Sequence, residues 1–262
     1  MTPEFGLPGT APRTAIVTGG ARRIGCAFVR ALAADGWTLL IHCHDSVDEA
    51  GALAEEVGNG ARFVSADLAH AGGAAGVLAP LDGMPPPGLL VNSASRFAED
   101  RLGDFTAAGW EAQLVPNLLS PALLIQGFAA RVPAGAAGLI VNMLDAKLAQ
   151  PNPDFFSYTI SKMGLAGLTE LAARALAAKG IRVCGIAPSV TLVSGRQTRA
   201  NFNAVHTLNA LRRGVRVEEL VAALRFVVAS PTLTGQTILI DGGQRFLALP
   251  RDVQYMTPEE AE

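Results

Sequence analysis

The feature that most restricts the fold of this chain is an alternation of short apolar runs with longer amphipathic stretches, from residue 14 to about residue 240. Strands are predicted at TAIVT (14–18), TLLIHC (38–43), ARFVSA (61–66), LLVN (89–92), LIVNM (139–143), IRVCGIA (181–187) and TILI (237–240). Helices are predicted at 24–34, 47–57, 110–131, 155–179 and 217–230. Continuously apolar strands separated by helices are typical of a parallel sheet covered on both faces, and right-handed crossovers make such a sheet doubly wound. We therefore predict an α/β fold with a doubly wound parallel sheet of about seven strands and helices on both faces.

The same alternation argues for one domain. It continues across the proline- and glycine-rich segment GMPPPG (83–88), which we interpret as a turn and not as a linker. We expect a flexible extension over residues 1–12, a single domain over residues 13–250 and a C-terminal tail over residues 251–262.

Composition argues against several classes of function. Half of the 262 residues are hydrophobic and only 17% are charged, which indicates a globular protein. A formal net charge of −2 gives no electrostatic reason to expect nucleic acid or an anionic membrane as a partner. The sequence shows neither an apolar run of membrane-spanning length nor the pattern of a signal peptide, so we expect a cytoplasmic protein. Cys26, Cys43 and Cys184 lack metal-ligand spacing and are expected to pack as small apolar groups in a reducing compartment, with no metal site.

The stretch TGGARRIG (18–25) joins the first predicted strand to the first predicted helix. Backbone N–H groups and the helix dipole favour a phosphate at such a junction, and glycines let the backbone approach a pyrophosphate. One expected glycine is replaced by Arg23, whose fixed charge and fork of donors suit the 2′-phosphate of an adenosine. Arg22 can reinforce that charge, and His44 and Ser46, after the second strand, offer further polar contacts.

These residues also bear on the choice of dinucleotide. The two arginines favour NADPH, unless they form only a solvated helix start. Asp45 favours NADH, because a carboxylate near the ribose repels a phosphate and can accept a hydrogen bond from a free 2′-hydroxyl. We predict NADPH as the cofactor, with NADH as the alternative.

A second motif, YTISK, places Tyr158 and Lys162 at i and i+4 of a predicted helix, and hence on one helix face. A nearby ammonium stabilises a phenolate, which predicts a lowered pKa for the tyrosine. Tyr158 can then protonate the oxygen or nitrogen of a group that receives hydride from a nicotinamide ring, while Lys162 can also donate to the nicotinamide ribose.

Together these motifs resemble the short-chain dehydrogenase/reductase family over roughly residues 13–245, which implies a Rossmann-type fold and an NAD(P)H-dependent oxidoreductase. The resemblance extends to ADL (66–68) and VNSAS (91–95), at the ends of the third and fourth strands. It implies cofactor contacts at Gly19, Arg22, Arg23, Ile24, His44, Ser46, Asp67, Leu68, Asn92, Ser93, Ala94, Tyr158, Lys162 and Pro188. Asn117 matches the family's helix asparagine, which supports a water chain to the lysine, and is expected to be catalytic with Tyr158 and Lys162.

The fifth strand ends in an unusual way for this family, most of whose members carry a serine there. This chain reads VNMLDAK, and no serine lies between residues 121 and 156, so Asp145 is expected to face the site. An aspartate can exchange a proton or, as a carboxylate, pair with an amidine-like substrate. The alternative is a solvated loop aspartate.

The departures from the family pattern all resemble the same subgroup of the family. HCHDS, NSASRF and NMLDA resemble the pteridine reductases and the related bacterial dihydromonapterin reductases. That resemblance implies reduction of a dihydropterin, with Asp145, Tyr158 and Leu192 at the substrate, Ser95 at cofactor phosphate or pterin, and Phe97 stacked on the pterin. Ordinary packing is the alternative for Phe97. Two rival functions remain, a reductase of another carbonyl compound, such as a ketoacyl thioester or sugar-like ketone, and a nucleotide-binding protein without turnover.

The region after the sixth strand, residues 188–215, lacks a long regular core pattern and is interpreted as a mobile lid over the substrate. Leu192, Val193 and His206 are candidates to line the pocket. Gly235 and the 241–243 turn resemble the family's closing strand and the tail that packs at a subunit interface, so the resemblance implies a homotetramer.

Overall fold

The computed structural model describes residues 13–70, 72–195 and 197–256, and its centre is a seven-stranded parallel sheet. The strand order is β3-β2-β1-β4-β5-β6-β7. The bounds are β1 Thr14–Val17, β2 Thr38–Cys43, β3 Arg62–Ser65, β4 Pro87–Asn92, β5 Gly138–Met143, β6 Ile181–Pro188 and β7 Thr237–Ile240. The order reverses between β1 and β4, whose carboxyl ends open the crevice where sheets of this kind bind ligands. The predicted Rossmann-type α/β fold is confirmed.

Helices connect the strands, with bounds α1 Arg23–Ala34, α2 Val47–Val57, α3 Gly73–Leu78, α4 Ala107–Leu114, α5 Ser120–Ala129, α6 Phe156–Leu176, α7 Arg199–Val205 and α8 Val217–Ala229. The helix predicted at 110–131 is divided into α4, a π-helical segment over Val115–Leu119, and α5. The prediction omitted α3 and α7, because each is too short to show a helical period.

The central strands alternate their side chains between two cores. Ala15 and Val17 belong to the core formed with α1, α2 and α8, whereas Ile16 belongs to the core formed with α3, α5 and α6. β1, β4 and β5 are buried along their whole length, which explains their unbroken apolar sequences. Truncating a fully buried ring such as that of Phe28 to alanine typically costs about 3–5 kcal/mol.

The cysteines lie inside regular elements. Cys43 and Cys184 are buried in β2 and β6, and Cys26 is partly buried in α1, as expected for small packing groups. Among the described residues no group of three or more His, Cys, Asp or Glu side chains is placed to hold a metal ion. None of the helices in the described ranges combines the length and apolar composition of a membrane span. The extension predicted over residues 1–12 and the end of the tail, 257–262, fall outside the described residues.

Candidate active site

A cavity of about 640 Å³ at the carboxyl edge of the sheet is the candidate active site. Its walls come from the glycine-rich turn, the ends of β4, β5 and β6, helix α6 and the last described residues of the chain. A cavity of this size is typical of a small-molecule or cofactor site. Of the predicted site residues it brings together Gly19, Arg22, Arg23, Ile24, Ser93, Ala94, Ser95, Phe97, Asp145, Tyr158, Lys162, Pro188 and Leu192.

The glycine-rich turn after β1 fits a dinucleotide phosphate. Gly19 has a left-handed φ of +63°, and a Cβ there would lie only 3.0 Å from the Cα of Ala94. The Thr18 hydroxyl accepts hydrogen bonds from the N–H groups of Ser93 and Ala94, both at 3.0 Å, which holds the turns after β1 and β4 side by side. Arg22, the N-cap of α1, makes no side-chain capping bond, so the N–H groups of the first turn remain available to an anion.

Arg23 occupies the turn position where a glycine is expected. Its backbone is left-handed, with φ of +55°, a conformation that costs a non-glycine residue about 1–2 kcal/mol. Both arginines are exposed at the cavity rim, but Arg22 donates to the Glu49 carboxylate through Nε, at 3.0 Å, and through Nη2. In the described part of the chain no carboxylate forms an ion pair with Arg23. Of the two arginines at the cavity rim, Arg23 is therefore the one whose charge is not balanced by a carboxylate of the described residues.

The other residues expected at the adenosine half lie beside the cavity and not in its wall. The Nε2 atom of His44 lies 3.3 Å from the Asp45 carboxylate and 3.8 Å from that of Asp67. Ser46 begins α2 without a side-chain capping bond, and Leu68 is buried. Because the side chains of His44 and Asp45 are 57% and 86% exposed, this end of β2 is an open polar surface.

Asn92 is buried at the end of β4, where it links the elements that carry the site. Its Nδ2 donates to Oδ1 of Asn142 at 2.8 Å, and Nδ2 of Asn142 donates to the Thr169 hydroxyl at 2.9 Å. All three side chains are buried. This chain of hydrogen bonds ties β4 to β5 and to α6 beneath the cavity.

A carboxylate, a phenol and an ammonium meet at the inner wall of the cavity. Asp145 follows β5 and begins a short 3₁₀ turn, where its Oδ1 accepts from the N–H of Lys147 at 2.9 Å. The Tyr158 hydroxyl, in the first turn of α6, donates to Oδ2 of Asp145 at 2.7 Å. One turn later, Nζ of Lys162 donates to the carbonyl oxygen of Met143 at 2.7 Å and lies 5.7 Å from the centre of the Tyr158 ring.

Burial is the largest influence on the pKa values of Asp145, Tyr158 and Lys162. It raises the pKa of Asp145, although hydrogen bonds from the Lys147 N–H and Tyr158 act in the opposite direction. It lowers the pKa of Lys162 to about 8. The pKa of Tyr158 is raised well above its ordinary value, first by burial and then by the charge and hydrogen bond of Asp145. The sequence-based expectation of a lowered tyrosine pKa is therefore wrong in this structure, because burial of the phenol and, after it, the neighbouring Asp145 carboxylate both disfavour the phenolate. Tyr158 holds its proton, as a proton donor must.

Asn117 lies in the π-helical segment between α4 and α5 and is almost fully buried. Its Oδ1 accepts from the N–H of Arg96 at 2.8 Å, and its Nδ2 donates to the carbonyl oxygen of Arg96 at 2.9 Å and to the Ser161 hydroxyl at 3.0 Å. The Ser95 hydroxyl also donates to it, at 3.3 Å. The side chain thus holds the loop that carries Ser95 and Phe97, and its expected part in a water chain stays a prediction.

Phe97 is packed among aromatic rings in the cavity wall. It stacks on Phe155 with centroids 4.2 Å apart and meets Tyr158 edge to face at 4.7 Å. Phe155 has a left-handed φ of +52° just before α6, and Tyr255 stacks on its ring at 5.7 Å. These aromatic contacts offset the backbone strain and hold Phe97 beside the Tyr158 ring.

Comparison with known proteins identifies the family. A family model described as short chain dehydrogenase matches residues 13–203. The chain belongs to the short-chain dehydrogenase family. It is accordingly an NAD(P)H-dependent oxidoreductase, and its relatives support the pteridine reductase-like subgroup.

Three relatives show how this short-chain dehydrogenase compares with known members. Pteridine reductase 1 of Leishmania tarentolae is 30% identical, over 89% of this chain and 96% of its own. A 3-oxoacyl-[acyl-carrier-protein] reductase of a Synechocystis species is 28% identical, over 88% of this chain and 96% of its own. The structure of FolM alternative dihydrofolate reductase 1 from Brucella canis, complexed with NADP, has a TM-score of 0.85 at 38% identity and covers 89% of this chain and 94% of that one.

The end of β6 and the segment after it line the cavity of this short-chain dehydrogenase with residues 188–192, 194, 195 and 197, but not with every residue that the sequence suggested. Leu192 lines the cavity, but Val193 and His206 do not, so those two expectations are wrong. His206 instead ends α7, where its ring stacks on Phe202 at 4.4 Å and its Nε2 lies 2.9 Å from the carbonyl oxygen of Val215. His206, at the C-terminal end of α7, therefore contacts its own loop and not the cavity.

Sequence reasoning missed one wall of the cavity, which is formed by residues 251–254. Nη2 of Arg251 lies 2.9 Å from Oδ1 of Asp154, and Oδ2 of Asp252 lies 3.3 Å from Nζ of Lys147. In the sequence, this wall is marked only by the charged dipeptide Arg251–Asp252 after the last predicted strand. Without knowledge of its partners, such a dipeptide looks the same as part of a solvated tail.

Gly25 offers a test of the turn that does not depend on the substrate. A Cβ at this position would lie 2.1 Å from the Gly19 carbonyl oxygen, so Gly25→Ala must displace the turn. We expect a loss of about 1–3 kcal/mol of stability and weaker dinucleotide binding, measured by thermal denaturation and by nucleotide titration. Gly167→Ala is the matched control, since nothing lies within 4 Å of a Cβ at that exposed position in α6. Equal behaviour of the two variants would contradict the close approach at the turn.

Proposed function

We propose that this short-chain dehydrogenase is an NADPH-dependent reductase of a dihydropterin. The observation that carries the proposal is the 2.7 Å hydrogen bond from the Tyr158 hydroxyl to the Asp145 carboxylate. A carboxylate can accept paired hydrogen bonds from the adjacent donors of an aminopyrimidinone ring, whereas a serine hydroxyl suits a lone carbonyl oxygen. The 30% and 38% identities with a pteridine reductase and with an alternative dihydrofolate reductase support the same substrate class.

Each residue of the inner wall has a distinct role in this proposal. Asp145 binds and orients the pterin, and Tyr158 gives its proton to the nitrogen of the C=N bond that is reduced. When bound, the reduced nicotinamide supplies the hydride to the carbon of that bond. Lys162 is mainly an ammonium below its pKa of about 8 and then stabilises the phenolate that proton transfer leaves behind. Phe97 presents a flat apolar ring on which the pterin stacks, and Ser95 and Leu192 complete the substrate contacts.

The proposal is tested by mixing the purified protein with NADPH and a 7,8-dihydropterin or quinonoid dihydropterin and following the absorbance of the reduced nicotinamide. We expect NADPH oxidation that depends on the pterin. Binding of NADPH without consumption of any substrate would instead favour the nucleotide-binding protein without turnover.

A second candidate function is the reduction of a 3-oxoacyl thioester, which the 28% identity with a 3-oxoacyl-[acyl-carrier-protein] reductase favours. Asp145 argues against it, because a carboxylate repels the oxyanion that develops on a reduced carbonyl. An acetoacetyl thioester in the same assay separates the two candidates. Turnover of the thioester alone would overturn the pterin proposal.

The proposed preference for NADPH rests on Arg23, and the NADP complex of the related Brucella protein supports it. We expect Arg23→Ala to lower the ratio of kcat/KM for NADPH to that for NADH by roughly tenfold to a hundredfold, the value of one charge-assisted hydrogen bond. Arg22→Ala is the control and should change this ratio less, because Arg22 already pairs with Glu49. An unchanged ratio for Arg23→Ala would remove the structural basis of the preference.

We further propose the domain bounds, the lid, the cellular location and the oligomeric state that the sequence suggested. Residues 13–250 act as one reductase domain, to whose cavity residues 251–254 of the tail add a wall, and residues 188–215 act as a lid. In this lid, Nδ2 of Asn201 donates to the carbonyl oxygen of Gln254 at 3.0 Å. The enzyme is a cytoplasmic homotetramer. The partly exposed edge strand β7 and the exposed ring of Phe246 beyond it support self-association.

A further inference from the structure

The segment over residues 251–254, after the last strand, forms part of the active site although it lies outside the residues that the family model matches. The buried Asp154 carboxylate holds it by accepting hydrogen bonds from the Arg251 guanidinium, at 2.9 and 3.2 Å, and from the N–H of Asp252, at 2.8 Å. Helix α7 holds it from the other side through the bond from Asn201 to Gln254. The segment is therefore fixed against the cavity by groups from two separate elements.

Asp252 is the acid that this segment brings into the cavity wall. Its Oδ2 lies 3.3 Å from Nζ of Lys147, and the two side chains are only 18% and 9% exposed. The N–H of Lys147 is the donor to Oδ1 of Asp145, which in turn binds the Tyr158 hydroxyl. Asp252 and the Asp145–Tyr158 pair thus share one wall, with Lys147 in contact with both.

We propose that Asp252 is a positioning residue for the reaction, which places a negative charge beside the Asp145–Tyr158 pair and thereby sets the pH range in which that pair can act. The inference rests on the proposed function in one respect, namely that Asp145 and Tyr158 work as binding and acid groups. A nearby negative charge disfavours the ionised form of a carboxyl and of a phenol alike. Burial is the first cause of the raised pKa of both groups, and the Asp252 carboxylate adds to it.

The charges around Asp252 do not cancel this effect. Lys147 offsets it in part, and Arg251 is engaged with Asp154, so its charge is already balanced. The titratable groups that surround Asp252, from the turn after β5, the loop before α6, α6 itself and the C-terminal segment, are Asp145, Lys147, Asp154, Tyr158, Lys162, Arg251 and Tyr255.

The first test is the pH profile of kcat/KM for the Asp252→Asn variant. The reaction needs Asp145 ionised, so a lower pKa for Asp145 should move the acidic limb to lower pH by about 0.5–1 unit. The basic limb follows the loss of the Lys162 proton, with its pKa of about 8, and should stay in place. Asp252→Glu, which keeps the charge, should retain the wild-type profile. Asp35→Asn is the matched control, because Asp35 is also paired with a cation, Arg225, and is 19% exposed, but lies away from the cavity.

A second measurement needs no turnover. In protein labelled with carbon-13 at the aspartate carboxyl carbons, the resonance that disappears in Asp145→Asn reports the ionisation of Asp145. We expect the Asp252→Asn change to move this titration to lower pH. If neither the titration nor the pH profile moves, the inference is overturned even if dihydropterin is reduced. If the titration moves while no dihydropterin is reduced, the proposed function fails and the role of Asp252 stands.

Discussion

Replacing Tyr158 by phenylalanine is expected to lower kcat for the proposed dihydropterin reduction by roughly a hundredfold to ten-thousandfold, the usual contribution of one general acid. The substitution removes only the hydroxyl that donates to Asp145 at 2.7 Å. The ring remains, together with its edge-to-face contact with Phe97 at 4.7 Å, so the cavity keeps its shape. Steady-state kinetics measures the loss of rate, and titration of nicotinamide fluorescence should show NADPH binding close to that of the wild type.

Tyr255, the other tyrosine of the chain, provides the control for this result. Its hydroxyl is buried without a hydrogen-bond partner among the described residues, and its ring stacks on Phe155 and lies 4.7 Å from the Arg251 guanidinium, contacts that a phenylalanine keeps. Tyr255→Phe should therefore retain activity and lose no stability. Full activity in Tyr158→Phe would show that another group supplies the proton.

Asp145→Asn is expected to lower kcat/KM for a dihydropterin by at least about a hundredfold. The carboxylate can accept two hydrogen bonds from the pterin, and an amide of the same shape offers one acceptor and one donor, which leaves a donor of the substrate unpaired. The effect on a simple ketone should be smaller, since a ketone brings no pair of donors. The measurement is the ratio of kcat/KM for the two substrates, and equal losses for both would argue against pterin recognition by Asp145.

The same variant should unfold at the same temperature as the wild type or higher at neutral pH. Burial raises the pKa of Asp145 above the unfolded value of about 3.9. The contribution of this group to stability is therefore present below about pH 3.9 and is lost as the pH rises through the raised value. Thermal denaturation across this range measures the effect, and a clearly lower Tm for the variant at neutral pH would show that the hydrogen bonds of the carboxylate outweigh its burial.

The sheet could be predicted from the sequence because its strands are apolar and short. β2 and β7 have the predicted bounds, and β4 begins two residues earlier than predicted, at Pro87. Such differences arise at strand ends, where pairing with a neighbour decides the boundary and local composition does not. The division of the predicted helix at the π-helical segment that carries Asn117 was missed, although Pro116 in this segment is a residue that interrupts an ordinary helix.

The inner wall of the site was predictable for a similar local reason. Tyr158 and Lys162 lie one helical turn apart, and Asp145 follows a buried strand that ends beside that helix. The partners of these groups were not predictable, because they depend on contacts between distant parts of the chain. Lys147 and Asp252 are separated by 105 positions, and no local pattern relates them.

The docking of residues 251–254 has a consequence for how the enzyme matures during synthesis. The partners of Asp154 and Lys147 lie 97 and 105 positions further along the chain. The wall that these contacts fix beside Asp145 can therefore close only after the C-terminal segment has been synthesised.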